Sequence, residues 1–298
     1  EMIGLLGFKV ALEPKKNKPF MPVFDVLGLC LDLSCATSGI IKVGAKPSRR
    51  DDIVGECKKA IDSKLLTRQD AFSLDGKIRF LREGCFGRCG ARALREIGAR
   101  AKSPAGRLSA QLVLALEWLV EYLGAAPPRQ ILCSAVDSPL LLFTDGASEA
   151  NGVTVGAVLL EEGFAPEAFG AAVPESVVAA WRGPGSWQVI GQAELAPVVL
   201  AARVWAGRIE GRHLIVFLDQ DAARLGLIKA FSPSEASAAI IDEAMHRLAS
   251  SCTYPWFTRV ASASNPADFP SRLMWDALKE LFPGVVKRCL PSDAWAWA

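Results

Sequence analysis

Histidine is scarce in this 298-residue chain, which has only His213 and His246. Neither stands near a cysteine pair, so the eight cysteines do not read as a zinc site. The only close pairs are Cys30/Cys35 and Cys85/Cys89, too scattered for a disulfide framework in a chain of this size. Reduced thiols are expected, and with them an intracellular setting, cytoplasmic or nuclear. Serine or cysteine hydrolase chemistry finds no suitably paired histidine, and Gly183-Pro-Gly-Ser-Trp187 is not a nucleophile elbow. A Gly-x-x-x-x-Gly-Lys phosphate loop is also missing. No apolar run is long enough to span a bilayer. The N-terminus has no basic leader or small-residue cleavage site, so no signal peptide is expected. Its abrupt start in an apolar pattern suggests a segment of a longer polypeptide.

What the chain does have is apolar material and an uneven charge. Apolar residues make up 51% and mean hydropathy is +0.24, enough for two domains or one large one. Residues 1–129 hold 22 Lys/Arg against 14 Asp/Glu, a net +8, while residues 130–298 hold 12 against 18, a net −6. A basic half joined to an acidic half suggests a polyanion-binding part and a cation-binding part.

Apolar runs over 5–12 and 20–33, separated by Glu13-Pro-Lys-Lys-Asn-Lys-Pro19, read as strands around a basic turn. Residues 47–125 read as helical. Ser48 is a candidate cap, and Thr67 with Asp70 forms a capping box. A helix over roughly 75–100 would carry Arg88, Arg92 and Arg95 on one basic face. The last helix of this part covers about 109–123. Ala125-Ala-Pro-Pro-Arg-Gln130 reads as a linker. Beyond it, strands near 139–144, 152–160 and 164–172 suggest an antiparallel meander. A helix at 193–207, a strand at 213–218, helices at 221–229 and 234–250, a strand at 256–261 and a proline-broken helix at 267–281 follow. That order argues for a mixed sheet flanked by helices. Pro197 places the start of the first of these helices near Gln192 or Ala193, because proline is tolerated only in a first turn.

Four acidic residues fall at element ends: Asp145 after Leu140-Leu-Leu-Phe-Thr, Glu194 at a helix start, Asp219 after Ile215-Val-Phe-Leu, and Asp268 in Asn265-Pro-Ala-Asp-Phe-Pro-Ser-Arg272. Each alone has an ordinary explanation. Asp145 makes a turn with Gly146, Glu194 favours a helix N-terminus, and Asp219 and Asp268 cap helices, with Asp221 competing for the first of those roles. Together they offer hard oxygen ligands for divalent ions. A cluster of three or four carboxylates repels itself without metal and is costly unless used.

The order and motifs resemble the ribonuclease H domain of retroelement reverse transcriptases. Thr144-Asp-Gly-Ala-Ser148 looks like that family's first-strand motif, Gln192-Ala-Glu-Leu195 its first-helix glutamate, and Ile215-Val-Phe-Leu-Asp219 its later strand aspartate. Asn265-Pro-Ala-Asp-Phe-Pro-Ser-Arg272, the most specific of the four, resembles the ending seen in retrotransposon members. The likeness covers about 138–275. Residues 1–34 resemble the end of a polymerase palm. Residues 35–125 resemble a helical thumb or connection of DIRS-like elements. Residues 126–137 would be a linker and 276–298 a C-terminal tail. No Tyr-x-Asp-Asp sequence is present, and neither histidine sits on a loop before Asp268.

The resemblance implies a ribonuclease H-like mixed five-stranded sheet flanked by helices, preceded by a small helical region. It implies two Mg²⁺, or Mn²⁺ in their place, held by Asp145, Glu194, Asp219 and Asp268 as catalytic and metal-ligating residues. It also implies cleavage of the RNA strand of an RNA/DNA hybrid, leaving 5′-phosphate and 3′-hydroxyl ends. Arg88, Arg92, Arg95 and Arg272 would grip nucleic acid, and the rest of a reverse-transcriptase polypeptide would be a partner. The alternative is a catalytically inactive, nucleic-acid-binding remnant.

Overall fold

The structure is a computed structural model. It describes residues 21–104, 106–133, 138–150, 152–182 and 188–298. The strand expected over 5–12 and the basic turn after it lie outside the described residues.

The described residues form two sheets. The first is antiparallel, with β1 (Val23–Val26), β2 (Leu29–Asp32), β3 (Ile40–Ala45) and β4 (Arg129–Leu132) in that order. The single run expected over 20–33 is therefore a hairpin. It turns at Leu27-Gly28, both at positive φ, which matches the twist of two-residue hairpins. Residues 129–132, expected within a linker, instead pair with β3. Their alternating burial was too short a signal to outweigh Pro127-Pro128.

Four helices pack beside this sheet: α1 (Pro47–Ser63), α2 (Arg68–Leu81), α3 (Ala91–Lys102) and α4 (Ala110–Ala125). Their apolar faces meet in one core that includes Ile53, Leu74, Ile78, Leu94, Ile97, Leu116 and Leu119. Each such side chain contributes roughly 1.5–3 kcal/mol by leaving water. Thr67 caps α2 by accepting from the Asp70 N–H at 3.1 Å. Thr67→Ala is expected to lower stability by about 1 kcal/mol in chemical denaturation. Ser48 caps nothing: α1 starts at Pro47, whose fixed φ suits a first helical position. The helix expected over 75–100 is interrupted by a π-turn at Arg82–Phe86 and by Gly87 and Gly90 at positive φ.

The second sheet has β5 (Leu140–Glu149), β6 (Gly152–Leu160), β7 (Glu167–Ala172), β8 (His213–Leu218), β9 (Tyr254–Arg259) and a two-residue edge strand, β10 (Val286–Lys287). Their order is β10-β7-β6-β5-β8-β9. β5, β6 and β7 form the antiparallel meander, and β8 and β9 add parallel to β5. This is a mixed sheet flanked by helices, with five main strands and one short addition from the segment expected to be a tail.

Helices cover both faces. On one side lie α5 (Glu175–Trp181), α6 (Ile190–Val204), the single-turn α7 (Ala206–Ile209), α8 (Asp221–Lys229) and α9 (Glu235–Ser250). They enclose the largest core, with Leu140, Leu142, Val155, Val199, Leu214, Val216 and Ile241. On the other side lie α10 (Asp268–Ser271) and α11 (Trp275–Leu281), over Val158, Ala168 and Leu278. Residues 276–298 are not a loose tail: Leu278 and Ala294 are buried, and Trp295 packs edge-on to Trp181.

The two parts are joined by opposite charge. Arg92 pairs with Glu235 on α9. Arg88 lies over Phe257, and Arg95 lies over Phe231 and donates to Ala230 O at 3.3 Å. The basic residues expected to form an outward face are thus turned inward onto the second sheet's elements. The break leaves Arg88 in a turn and puts Arg92 and Arg95 on a new helix that starts at Ala91. Half-buried Asp242 faces Arg92 and Arg95, and its partial burial raises its carboxyl despite them. No helix among the described residues is long and apolar enough to cross a membrane.

Candidate metal centre

The parallel register of β5 and β8 sets the site. Phe143 pairs with Phe217, and two residues further on each strand stand Asp145 and Asp219. Residues two apart share a sheet face, so both aspartates lie on the side of the stacked Phe143 and Phe217 rings. Asp145 is not at a strand tip as expected. β5 continues to Glu149, paired to β6, while β8 stops at Leu218. The carboxylates therefore sit where the neighbouring strand ends and a gap opens in the sheet.

Glu194 comes from α6, which starts at Ile190 and carries Pro197 in its interior rather than its first turn. Proline has no N–H, so Ala193 O receives no helical hydrogen bond from position 197. That carbonyl lies directly over Gly146. A β-carbon added at Gly146 would stand 2.4 Å from Ala193 O and 2.7 Å from Glu194 N. Glycine on β5 thus lets the helix reach the strand. The Gly146 N–H also hydrogen-bonds the Glu194 carboxylate.

One carboxylate oxygen each from Asp145, Glu194 and Asp219 lies within 4.8 Å of the others. No other acidic, histidine or cysteine group among the described residues meets that test. Asp145 and Glu194 are buried. Glu194 Oε2 and Asp219 Oδ1 are buried without a hydrogen-bond partner among the described residues. Burial, with the charges of Asp145 and Asp219, pushes the Glu194 carboxyl up to about 9. Burial likewise pushes Asp145 up to about 6, against a lowering hydrogen bond from Ser271 and with the charges of Asp219 and Asp268 adding. Two orphaned buried oxygens in a self-repelling acidic group fit a divalent cation, which wants hard oxygen ligands.

Asp268 stands apart from the three. Its side chain is half-exposed and accepts from Arg272 Nε at 2.7 Å. Arg272 also donates to Glu149 at 2.6 Å, so it bridges two acids at the rim. Arg88, Arg92 and Arg95 are occupied between the two parts of the chain. A cavity of about 380 Å³ lies by His213, at the opposite end of β8 from Asp219, and none of the four carboxylates lines it.

Several residues that hold the site were given no role from the sequence, although Asn265 and Ser271 stand within the Asn265–Arg272 motif. Ser262 Oγ donates to Asp219 Oδ2 at 2.7 Å, Asn265 Nδ2 to Thr144 O at 3.0 Å, and Ser271 Oγ to Asp145 Oδ2. Gly156 and Gly170 take the backbone of Pro270–Ser271 against the sheet. Glycines inside strand patterns were the available signal, since they often mark a close backbone approach.

No family model and no curated protein matches the chain. Among solved structures, it is similar to the RNase H1 of the halophilic archaeon Halobacterium salinarum, with 18% identity, a TM-score of 0.36, and 47% of this chain and 99% of that chain covered. It is similar to the N-terminal RNase H domain of a Mycobacterium tuberculosis protein, with 16% identity, a TM-score of 0.32, and 48% and 97% covered. It is also similar to a foamy viral protease-reverse transcriptase in complex with an RNA/DNA hybrid, with 8% identity and a TM-score of 0.31. That match covers 87% of this chain, which spans 53% of the viral chain's length.

Proposed function

We propose that the chain is the ribonuclease H part of a retroelement reverse transcriptase of DIRS-like type, an endonuclease that cuts the RNA strand of RNA/DNA hybrids. The observation that carries this reading is the Asp145/Glu194/Asp219 cluster, with its two orphaned oxygens, at the end of β8. In this reading Asp145, Glu194 and Asp219 hold divalent metal, two Mg²⁺ or Mn²⁺, and Asp268 completes the set from the rim. Bound metal supplies Lewis acidity, activating water for in-line attack on phosphorus and stabilising the leaving 3′-oxygen. The residues of the chain supply position. The β5/β8 register fixes two carboxylates side by side, and α6 delivers the third through Gly146. In this reading Arg272, which bridges Asp268 and Glu149 at the rim, meets a backbone phosphate. The N-terminal part belongs to the same reading: residues 1–34 as the end of a palm, and residues 35–125 with β4 as a thumb or connection.

The test is cleavage of an end-labelled RNA/DNA hybrid in Mg²⁺. The wild-type chain is expected to cut the RNA strand and leave 5′-phosphate and 3′-hydroxyl ends. Asp145→Asn is expected to lose about 10²–10³-fold or more, the scale of removing one preorganised group at a reacting centre. A wild-type chain that binds the hybrid but does not cut in Mg²⁺ or Mn²⁺ leaves the alternative, an inactive nucleic-acid-binding remnant.

A further inference from the structure

Asp145, Gly156 and Gly170 are cross-strand partners in one row on β5, β6 and β7. The two glycines make that row flat. A β-carbon at Gly156 would stand 2.2 Å from Ser271 N, and one at Gly170 would stand 2.0 Å from Pro270 O. The Pro270–Ser271 backbone therefore lies on the sheet surface itself, at the one place where side chains are missing. Ser271 is fully buried there, and its hydroxyl points along the row to Asp145 Oδ2. Asp268 O lies 3.0 Å from the same hydroxyl. One hydroxyl has one proton, and the carboxylate is the charge-assisted acceptor. The segment is pinned at both ends. Asn265 donates to Thr144 O at 3.0 Å and accepts from Ala267 N at 3.2 Å, while Arg272 ties to Asp268 and Glu149.

We propose that Ser271 is a positioning residue for the metal centre: seated on Gly156 and Gly170, its hydroxyl holds one oxygen of Asp145 so that the other faces Glu194 and Asp219. Backbone placement alone does not fix this, because an aspartate side chain turns about two bonds. A donor on one oxygen removes that freedom before any ion arrives. The hydrogen bond also stabilises the charged form of a carboxylate that burial disfavours. The inference rests on the reading of the carboxylate cluster as a metal site.

The experiment is direct Mn²⁺ binding to the full chain, by titration calorimetry and by loss of the free-ion EPR signal, without substrate. The proteins are wild type, Asp145→Asn, Ser271→Ala and Ser271→Cys, each checked for its melting temperature. Losing a group that orients a metal ligand typically lowers affinity about 10–100-fold. Ser271→Ala is expected to show that loss. Ser271→Cys restores volume but not a strong donor, and is expected to bind as weakly as Ser271→Ala. Wild-type affinity in Ser271→Ala, or its recovery in Ser271→Cys, would mean that Ser271 only fills space and overturns the inference alone. A wild-type chain that binds Mn²⁺ no better than Asp145→Asn overturns the metal-site reading, and this inference with it.

Discussion

Gly146→Ala is expected to abolish cutting and to lower stability by about 3 kcal/mol, the upper end for overpacking a filled site. The new methyl would stand 2.4 Å from both the carbon and the oxygen of the Ala193 carbonyl. These are backbone atoms in the first turn of a buried helix, so no side-chain rotation relieves the clash. Either α6 lifts from β5 or β5 bends, and both move Glu194 away from Asp145 and Asp219. Gly191→Ala, on the same helix, is the control. Nothing lies within 4 Å of its added carbon, and alanine favours helix by up to about 1 kcal/mol over glycine. Chemical denaturation and hybrid cleavage measure the pair. If Gly146→Ala melts and cuts like wild type, contact between helix and strand does not set the site.

Glu194→Gln should lose activity yet make the metal-free chain more heat-stable at alkaline pH. The sign follows from the raised carboxyl. In the unfolded chain Glu194 ionises near its ordinary 4.5, while in the fold it holds its proton to about 9. The protonated fold is therefore favoured fully below pH 4.5, and that contribution is lost as pH rises to about 9. Asp145 adds the same trend over a narrower window, from 3.8 to about 6. Glutamine carries no proton to lose. Its advantage over wild type is expected to be small at pH 5 and about 5 °C at pH 8, from the usual relation between stability and melting temperature. Added Mg²⁺ should raise the wild-type melting temperature at pH 8 and close that gap. Differential scanning calorimetry at the two pH values, with and without Mg²⁺, decides it. An equal difference at both would show that burial does not hold the proton on Glu194.

The second sheet was legible because its signals agree across levels. Leu140-Leu-Leu-Phe and Ile215-Val-Phe-Leu are apolar runs of strand length, each followed closely by an acid, and the spacing between them leaves room for a hairpin and for the helix that carries Glu194. Asp145, Glu194 and Asp219 could be picked because each follows or opens such an element. The exact start of α6 could not, because Pro197 was given a first-turn position on local grounds. The packing that accepts an interior proline comes from Gly146, far away in sequence. The setting of the arginines was hidden for a related reason. Helical spacing puts Arg88, Arg92 and Arg95 on one face, but nothing local says whether that face meets water or another part of the chain. The net +8 and −6 of the two halves were real, and they are used at least partly on each other, through Arg92 with Glu235 and Asp242. Residues 276–298 looked like a tail because their short apolar stretches have no clear period. Their partners, such as Trp181 for Trp295, come from elsewhere in the fold.

The hydrogen bond from Ser271 to Asp145 joins positions 126 apart in the chain. That separation has a meaning in time. During synthesis the meander, α6 and β8 leave the ribosome before residue 271 exists, so three acids can gather while the segment that lies on Gly156 and Gly170 is still unmade. Contacts of long sequence separation close late. A nascent chain therefore carries its carboxylates for a period without the clasp that orients the first of them. The site is finished by nearly the last part of the sheet domain to appear, so a half-made polypeptide has its three acids before it has their final arrangement.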